Sequence, residues 1–303
     1  MADKPGYLSL LESGKFERRI QKAREHLSSC TVCPQTCRVN RLEGETGECR
    51  IGSLPRVSSY GPHLGEESPL RGWRGSGTIF FSGCNLHCQY CQNASISQSG
   101  GGRKVSSEQL AGMMLSLQER GCHNINFVSP THVSPQIMEA VYVAAKQGLT
   151  LPLVYNTGGY DSIQMLGLFS GIVDIYMPDM KYSDPQVGET YSRVERYPTV
   201  NQSAVKEMHR QVGDLVLDEQ GIALKGLLVR HLVLPNQLSG SEQILKYIAE
   251  EISRNTYLNL MDQYRPSYRA HRYPELNRRL TREEFAELKK LASELGLERG
   301  DRH

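Results

Sequence analysis

No uninterrupted apolar run in this 303-residue chain approaches the ~18 residues that a membrane-spanning helix needs. A charge excess is missing too: 35 Lys and Arg stand against 33 Asp and Glu, a formal +2. A general nucleic-acid or membrane-surface binder carries a larger basic surplus, so neither kind of partner is expected. The opening MADKPGYLSLLESGKFERR holds charge throughout and has no apolar stretch of leader length, so a soluble, cytoplasmic protein is expected. There is no internal repeat and no low-complexity segment. Gly100-Gly-Gly102 is too short to cradle a phosphate, lacks a G-x-G-x-x-G pattern and reads as a flexible turn.

Apolar residues make up 39% of the chain, enough for a sizeable core. Residues 7–28 carry Leu8, Leu11, Phe16, Ile20, Ala23 and Leu27 at mostly helical spacing and predict one helix. Residues 30–76 show little periodicity and many Gly and Pro, and predict a loop-rich, metal-held segment. From residue 77 short apolar runs alternate with helical patterns. Strands are predicted at 77–83, 124–129, 151–156, 171–177, 226–234 and 256–261. Between them, helices are predicted from a capping box at Ser106 and Gln109 to about Gly121, from Ser134 to Gly148, at 161–169, after Asp184-Pro185, at 204–212 and at 241–254. A last helix starts at Thr281, with Glu284 completing its capping box, and ends near Gly296.

Six such alternations mean parallel strands joined by crossover helices, an α/β fold. Right-handed crossovers allow either a closed barrel or an open curved sheet, and the pattern does not decide between them. Three parts are expected: a helical, Cys-rich segment over 1–75, the α/β core over 76–265, and an extension with a helix over 266–303.

The eight cysteines are the most informative residues. Seven fall between residues 30 and 91 in two close-spaced groups, and without a leader such clusters point to metal or redox chemistry rather than disulfides. Cys84, Cys88 and Cys91 lie just after the first core strand, at the end where parallel α/β folds build their sites. Three thiolates this close can hold three irons of a cubane cluster that normally takes four Cys. The fourth iron is then free for another ligand, and a chelating amino acid can fill that place. Zinc sites usually pair two C-x2-C knuckles, so C-x3-C-x2-C alone suits zinc poorly. Cys122, at a helix–strand junction, reads as a packed core thiol.

Cys84-x3-Cys88-x-Tyr90-Cys91 resembles the hallmark of the radical SAM superfamily, C-x3-C-x-aromatic-C after the first strand of a partial (β/α)6 barrel. The resemblance is closer to the branch of pyruvate formate-lyase-activating enzyme, in a group of activating enzymes of unsettled substrate. It is carried by CTVCPQTCRVNR with GETGEC, CNLHCQYCQNASISQ, HNINFVSPTHVSPQI, VYNTGGY, VDIYMPDMKY, EMHRQVG, LLVRHLVLP and NLMDQYRP, and extends from about residue 28 to 266. It implies a [4Fe–4S] cluster on Cys84, Cys88 and Cys91 that cleaves S-adenosylmethionine (SAM) to a 5′-deoxyadenosyl radical for hydrogen abstraction. It further implies an electron donor of flavodoxin or ferredoxin type, and a protein or peptide substrate if the role is to install a glycyl radical on a partner.

The family's Gly-Gly-Glu motif for the methionyl amine is absent; the matching position reads Ser129-Pro130-Thr131-His132. Thr131 and His132 become candidates for SAM contact, with a solvent-facing loop histidine the plain alternative for His132. The resemblance matches Asn156 with a ribose-contacting residue, for which a turn residue before two glycines is the alternative. It matches Asp179 and Lys181 with an Asp-x-Lys segment, where Lys181 can pair with the SAM carboxylate or simply face solvent. Arg230 falls inside an apolar strand, and a buried Arg is costly unless paired, so a carboxylate or structural partner is expected. Gln263 and Tyr264 stand where some relatives place a SAM-contacting His.

Cys30-x2-Cys33-Pro-x2-Cys37-x11-Cys49 is a four-thiolate set, with Pro34, Gly44 and Gly47 suited to a tight loop. Structural zinc and a second iron–sulfur cluster are both acceptable, with a structural metal preferred over an electron relay. Residues 264–282 interleave Arg with aromatics; the charge balance and adjacent Glu283–Glu284 favour a solvated surface strip over nucleic-acid stacking. A different class of function, a non-catalytic module using both cysteine sets for structural metal, is also compatible with these residues, as is radical SAM chemistry on a small molecule.

Overall fold

The computed structural model describes residues 4–301. The chain opens with α1 (Gly6–Glu12) and α2 (Lys15–Glu25) rather than one helix. Gly14, at φ +65°, breaks the run: the apolar spacing continues through a position whose backbone leaves the helical region. The 30–76 segment is not all loop. It contains β1 (Arg56–His63) and α3 (Ser68–Arg71), and β1 pairs antiparallel with β2 (Ser76–Phe81). One face of β1 is exposed and it holds a Gly and a Pro, which is why its sequence does not read as a strand.

After β2 come α4 (Ala94–Ser97), β3 (Arg103–Lys104), α5 (Ser107–Glu119), β4 (Ile125–Val128), α6 (Ser134–Lys146) and β5 (Leu153–Thr157). Then follow α7 (Ile163–Phe169), β6 (Ile175–Pro178), α8 (Pro185–Ser192), α9 (Tyr197–Val212) and β7 (Val216–Leu217). The chain ends with β8 (Ala223–Leu232), α10 (Ser241–Tyr247), β9 (Tyr257–Met261) and α11 (Arg282–Glu294). Both predicted capping boxes are present, Ser106 with Gln109 and Thr281 with Glu284. α9 starts seven residues before the expected 204, because Pro198 occupies an early helical position where no N–H is required. The helix expected over 241–254 passes into a π-turn, Ile248–Ile252.

Six strands run parallel in the order β2-β4-β5-β6-β8-β9, which is also their chain order. A doubly wound sheet reverses order at a switch point; this one never does, so right-handed crossovers put every helix on the same side and the sheet curls around its other face. Among the described residues no pairing joins β9 to β2, and β1 occupies the free edge of β2. The result is a mixed α/β fold with a partial (β/α)6 barrel and a Cys-rich N-terminal region, answering what the alternation left open.

Strand period separates two cores. Ile79, Phe127, Tyr155, Tyr176, Leu227 and Leu258 face the helices and join the main core, where Cys122 also lies. Val154, Ile175, Met177, Leu228 and Tyr257 face inward and pack with Leu70. Two residues further along the same inward face, the strands carry Asn156, Asp179, Arg230 and Asn259 instead. Apolar filling therefore closes the bottom of the half-barrel, and polar chemistry begins at the C-terminal ends of its strands.

Candidate functional site

β2 hands over to the cysteine loop through Gly83, at φ +80°. A Cβ there would meet the Cys49 carbonyl oxygen at 2.5 Å, so glycine lets the N-terminal cysteine segment lie directly on the loop. Each of the three loop sulfurs has its own polar neighbour. The Leu86 amide donates to Cys84 Sγ (3.4 Å). Ser192 Oγ lies 2.9 Å from Cys88 Sγ, and Ser97 Oγ 3.2 Å from Cys91 Sγ. Burial, then the neighbouring Cys88, pushes the Cys84 thiol up to about 12. Burial raises Cys88 as well, against the opposing pull of the Lys181 ammonium. Left alone, the Cys84 and Cys88 sulfurs would stay protonated; a bound metal's positive charge reverses that balance.

Among the described residues, no three Cys, His, Asp or Glu side chains stand close enough to share a single metal ion. Cys84, Cys88 and Cys91 are nevertheless near enough to act on one another electrostatically. Three mutually interacting thiols, each with an N–H or O–H group beside it, suit the wider body of an iron–sulfur cluster.

Beside them the strand ends assemble a charge network. Asp179 accepts from Lys181 Nζ (2.6 Å) and from Arg230 Nε (2.9 Å), while Arg230 Nη2 donates to Asn156 Oδ1 (2.8 Å). The three charged side chains are only 15–20% exposed. Burial alone would raise the Asp179 carboxyl; Arg230 and Lys181 outweigh it and hold it below the usual carboxylate range. Burial alone would lower Lys181, but Asp179 and then Cys88 bring its pKa above the ordinary value. The network thus fixes a lysine ammonium next to the cysteine loop. The network brings Asn156, Lys181 and Arg230 together from three different strand ends, and the carboxylate that pairs with Arg230 is Asp179.

The other predicted residues are placed differently. Thr131 is buried, and its hydroxyl lies 2.7 Å from Asp161 Oδ1 and 2.9 Å from Thr157 Oγ1. His132 is not the solvent-facing loop histidine offered as an alternative: it is 1% exposed, and its Nε2 lies 3.0 Å from the Ser82 carbonyl oxygen. Burial lowers it to about 4, so it stays neutral. Tyr90 is buried, its hydroxyl 2.6 Å from Tyr182, whose own hydroxyl reaches Ser192 Oγ at 2.7 Å and so connects to Cys88. Gln263 is exposed, whereas Tyr264 packs its ring on Tyr90 (5.9 Å) and donates to the Leu276 carbonyl. The 264–282 stretch is therefore only partly a solvated strip. Tyr264, Ala270 and Leu276 are buried, Tyr273 stacks edge-on against Tyr191, and the Arg269 amide donates to Gln89 O in the cysteine loop.

Sequence reasoning missed Ser97, Ser192, Tyr182 and Asp161. Ser192 ends α8, a hundred residues from the thiol it touches, and nothing in its neighbourhood marks it. Asp161, two residues after Gly158-Gly159, was within reach as a polar residue in the loop after β5. Gly159 in that loop sits at φ +76°, and a Cβ would meet Asn201 Nδ2 and the Asp179 carbonyl oxygen, each at 2.2 Å. Gly159→Ala is expected to destabilise the protein by roughly 2–4 kcal/mol, from backbone strain plus that clash. Denaturant unfolding measures this; a loss under about 0.5 kcal/mol, the range of an ordinary surface change, would show that the loop has room to adjust.

Comparison with known proteins agrees with this geometry. The sequence profile of the radical SAM superfamily matches residues 78–222. An uncharacterized protein of Methanocaldococcus jannaschii is 32% identical over 301 residues, covering 96% of this chain and 82% of that one. The crystal structure of a radical SAM methyltransferase from Sphaerobacter thermophilus aligns with a TM-score of 0.51 at 12% identity, over 74% of this chain and 65% of that one. At that identity the likeness is one of fold. The superfamily uses a [4Fe–4S] cluster and SAM, which the convergent thiols and the adjacent lysine suit. With the profile over its core and a relative along nearly its whole length, the chain belongs to the radical SAM superfamily.

Proposed function

We propose that Cys84, Cys88 and Cys91 hold the [4Fe–4S] cluster and that the chain uses it to abstract a hydrogen atom from a substrate inside the half-barrel. When bound, the cluster supplies the electron that cleaves SAM to methionine and a 5′-deoxyadenosyl radical. The observation that carries the reading is the placement of three thiols on the loop after the first parallel strand, next to a lysine ammonium that Asp179 holds in position. Lys181 offers a cation to the SAM carboxylate, and the Asn156 amide can both donate to and accept from ribose hydroxyls. Arg230 orients Asn156 and neutralises Asp179. The buried Tyr90, Tyr182 and Tyr264 rings pack around the cysteine loop and keep water from it.

The finer reading is an activating enzyme that installs a glycyl radical on a partner protein, with a flavodoxin- or ferredoxin-type donor. Its support is the run of segments that resemble the pyruvate formate-lyase-activating-enzyme branch. Room for part of a larger substrate exists in a cleft of about 360 Å³ lined by Glu66, Glu67, Arg230, Asn259, Met261 and Gln263.

The test uses anaerobic, iron-reconstituted protein with SAM and dithionite, and quantifies 5′-deoxyadenosine. Product is expected in catalytic amounts. No product from a fully loaded cluster, with zinc the sole metal in protein as isolated, would favour the structural-metal reading. A glycyl radical signal on an added partner protein, one spin for each 5′-deoxyadenosine formed, would establish the finer role; turnover of a small molecule without it would exclude that role.

A further inference from the structure

We propose that Cys30, Cys33, Cys37 and Cys49 ligate a second, coordinatively complete [4Fe–4S] cluster set against the radical cluster. The first observation is convergence. The four cysteines line one small cavity together with Arg41, Gly47, Asn85 and His132. At Gly47 a Cβ would meet Cys37 Sγ at 2.6 Å, so a glycine leaves the sulfur its space.

The second observation is an unbalanced cation. Arg41 is 1% exposed, one of the largest fully buried side chains. Its guanidinium donates to Gly52 O (3.0 and 2.9 Å) and His132 O (2.8 Å) and approaches Cys30 Sγ at 3.9 Å. None of these partners is a carboxylate, and no ion pair to Arg41 occurs among the described residues. A permanently charged group is very rarely buried without an anion. Four metal-bound thiolates supply that negative charge, whereas four neutral thiols do not.

The third observation is spacing. Cys30, Cys33 and Cys37 fall within eight residues, as Cys84, Cys88 and Cys91 do, and Cys49 adds a fourth thiol. Zinc sites usually pair two C-x2-C knuckles, whereas here one short loop supplies three thiols, as in the set proposed to hold the radical cluster. A cluster with four Cys has no iron open to SAM, so its chemistry is one-electron transfer.

Position gives that transfer a direction. Gln35 Nε2 donates to Asn85 O (2.8 Å), between Cys84 and Cys88, and Gly83 rests on the Cys49 carbonyl. Cys37 is the most exposed of the four, so the site stands between solvent and the radical cluster. A reduced ferredoxin- or flavodoxin-class protein loses one electron, the second cluster passes it on, and the radical cluster gains it. This relay, unlike the metal site itself, rests on the function proposed above.

Metal analysis and electron paramagnetic resonance (EPR) of anaerobically reconstituted protein test the site. About eight irons per chain and no zinc are expected, falling to about four in Cys33→Ala/Cys49→Ala. Should that variant not fold, Cys84→Ala/Cys88→Ala/Cys91→Ala reads the same site from the other side and should keep about four irons. In dithionite-reduced protein, SAM should perturb one of two EPR signals. One zinc with about four irons, or a triple variant that binds no iron, overturns the proposal. For the relay, 5′-deoxyadenosine formation driven by reduced flavodoxin should be lost in Cys33→Ala/Cys49→Ala to a greater degree than formation driven by dithionite. Equal loss with both donors overturns it. A wild-type protein that makes no product would instead refute SAM cleavage, leaving the metal counts to decide the site.

Discussion

Cys88→Ala should lower 5′-deoxyadenosine formation roughly a thousand-fold or more, equivalent to at least about 4 kcal/mol of barrier. Cys88 is central among the three loop cysteines: its sulfur is buried, is met by Ser192 Oγ at 2.9 Å, and lies in the field of Lys181. Two thiolates cannot hold a cubane that already gives up one protein ligand to keep an iron open. The variant should lose iron and sulfide equivalent to one cluster while its far-UV circular dichroism stays that of wild type, because the loop packs through Leu86 and Tyr90 as well. Iron analysis and the product assay together decide the matter. Undiminished product formation would mean that Cys88 is not a ligand, and the radical cluster would have to be sought elsewhere.

Asp179→Ala should cost about 3–5 kcal/mol of stability, the range for removing one partner of a buried ion pair. The carboxylate is the shared anion for Arg230 and Lys181, and its loss leaves two cations facing each other at 16–20% exposure. The triple variant Asp179→Leu/Lys181→Met/Arg230→Met removes all the charge and should recover much of that stability, since apolar replacements of buried ion pairs are often neutral or better. SAM affinity should fall in both. Urea unfolding and equilibrium binding of SAM measure the two effects. A single variant as stable as wild type would mean that water screens this site far more than its burial indicates; a triple variant that binds SAM normally would remove Lys181 and Arg230 from the binding role.

The two cysteine sets, the alternation of strands and helices, and the polar residues at the strand ends were legible because their signals are local. Spacing along the chain is enough to see three thiols in one loop, or a capping box at Ser106. β1 was not legible, since a strand that exposes one face and contains Gly61 and Pro62 has no apolar run to mark it. The division of the first helix was hidden for the opposite reason: its apolar spacing is intact, and only the αL backbone at Gly14 breaks it. Burial of the 264–282 stretch was also out of reach, because Arg-rich composition says nothing about which aromatic rings turn inward.

By itself the amino-acid sequence determined the chemistry available: which side chains can ligate metal, which loop carries them, and an α/β architecture with parallel strands. Tertiary structure alone decided the order of those strands, and so that the sheet winds one way into a half-barrel. It also decided that Asp179 joins Lys181 and Arg230, that Ser192 meets Cys88, that His132 is buried, and that Arg41 lies among four cysteines with no carboxylate to balance it. Each of these is a contact between residues far apart in the chain. Its energy depends on a distance and on the water excluded around it, and neither quantity is a property of spacing along the sequence.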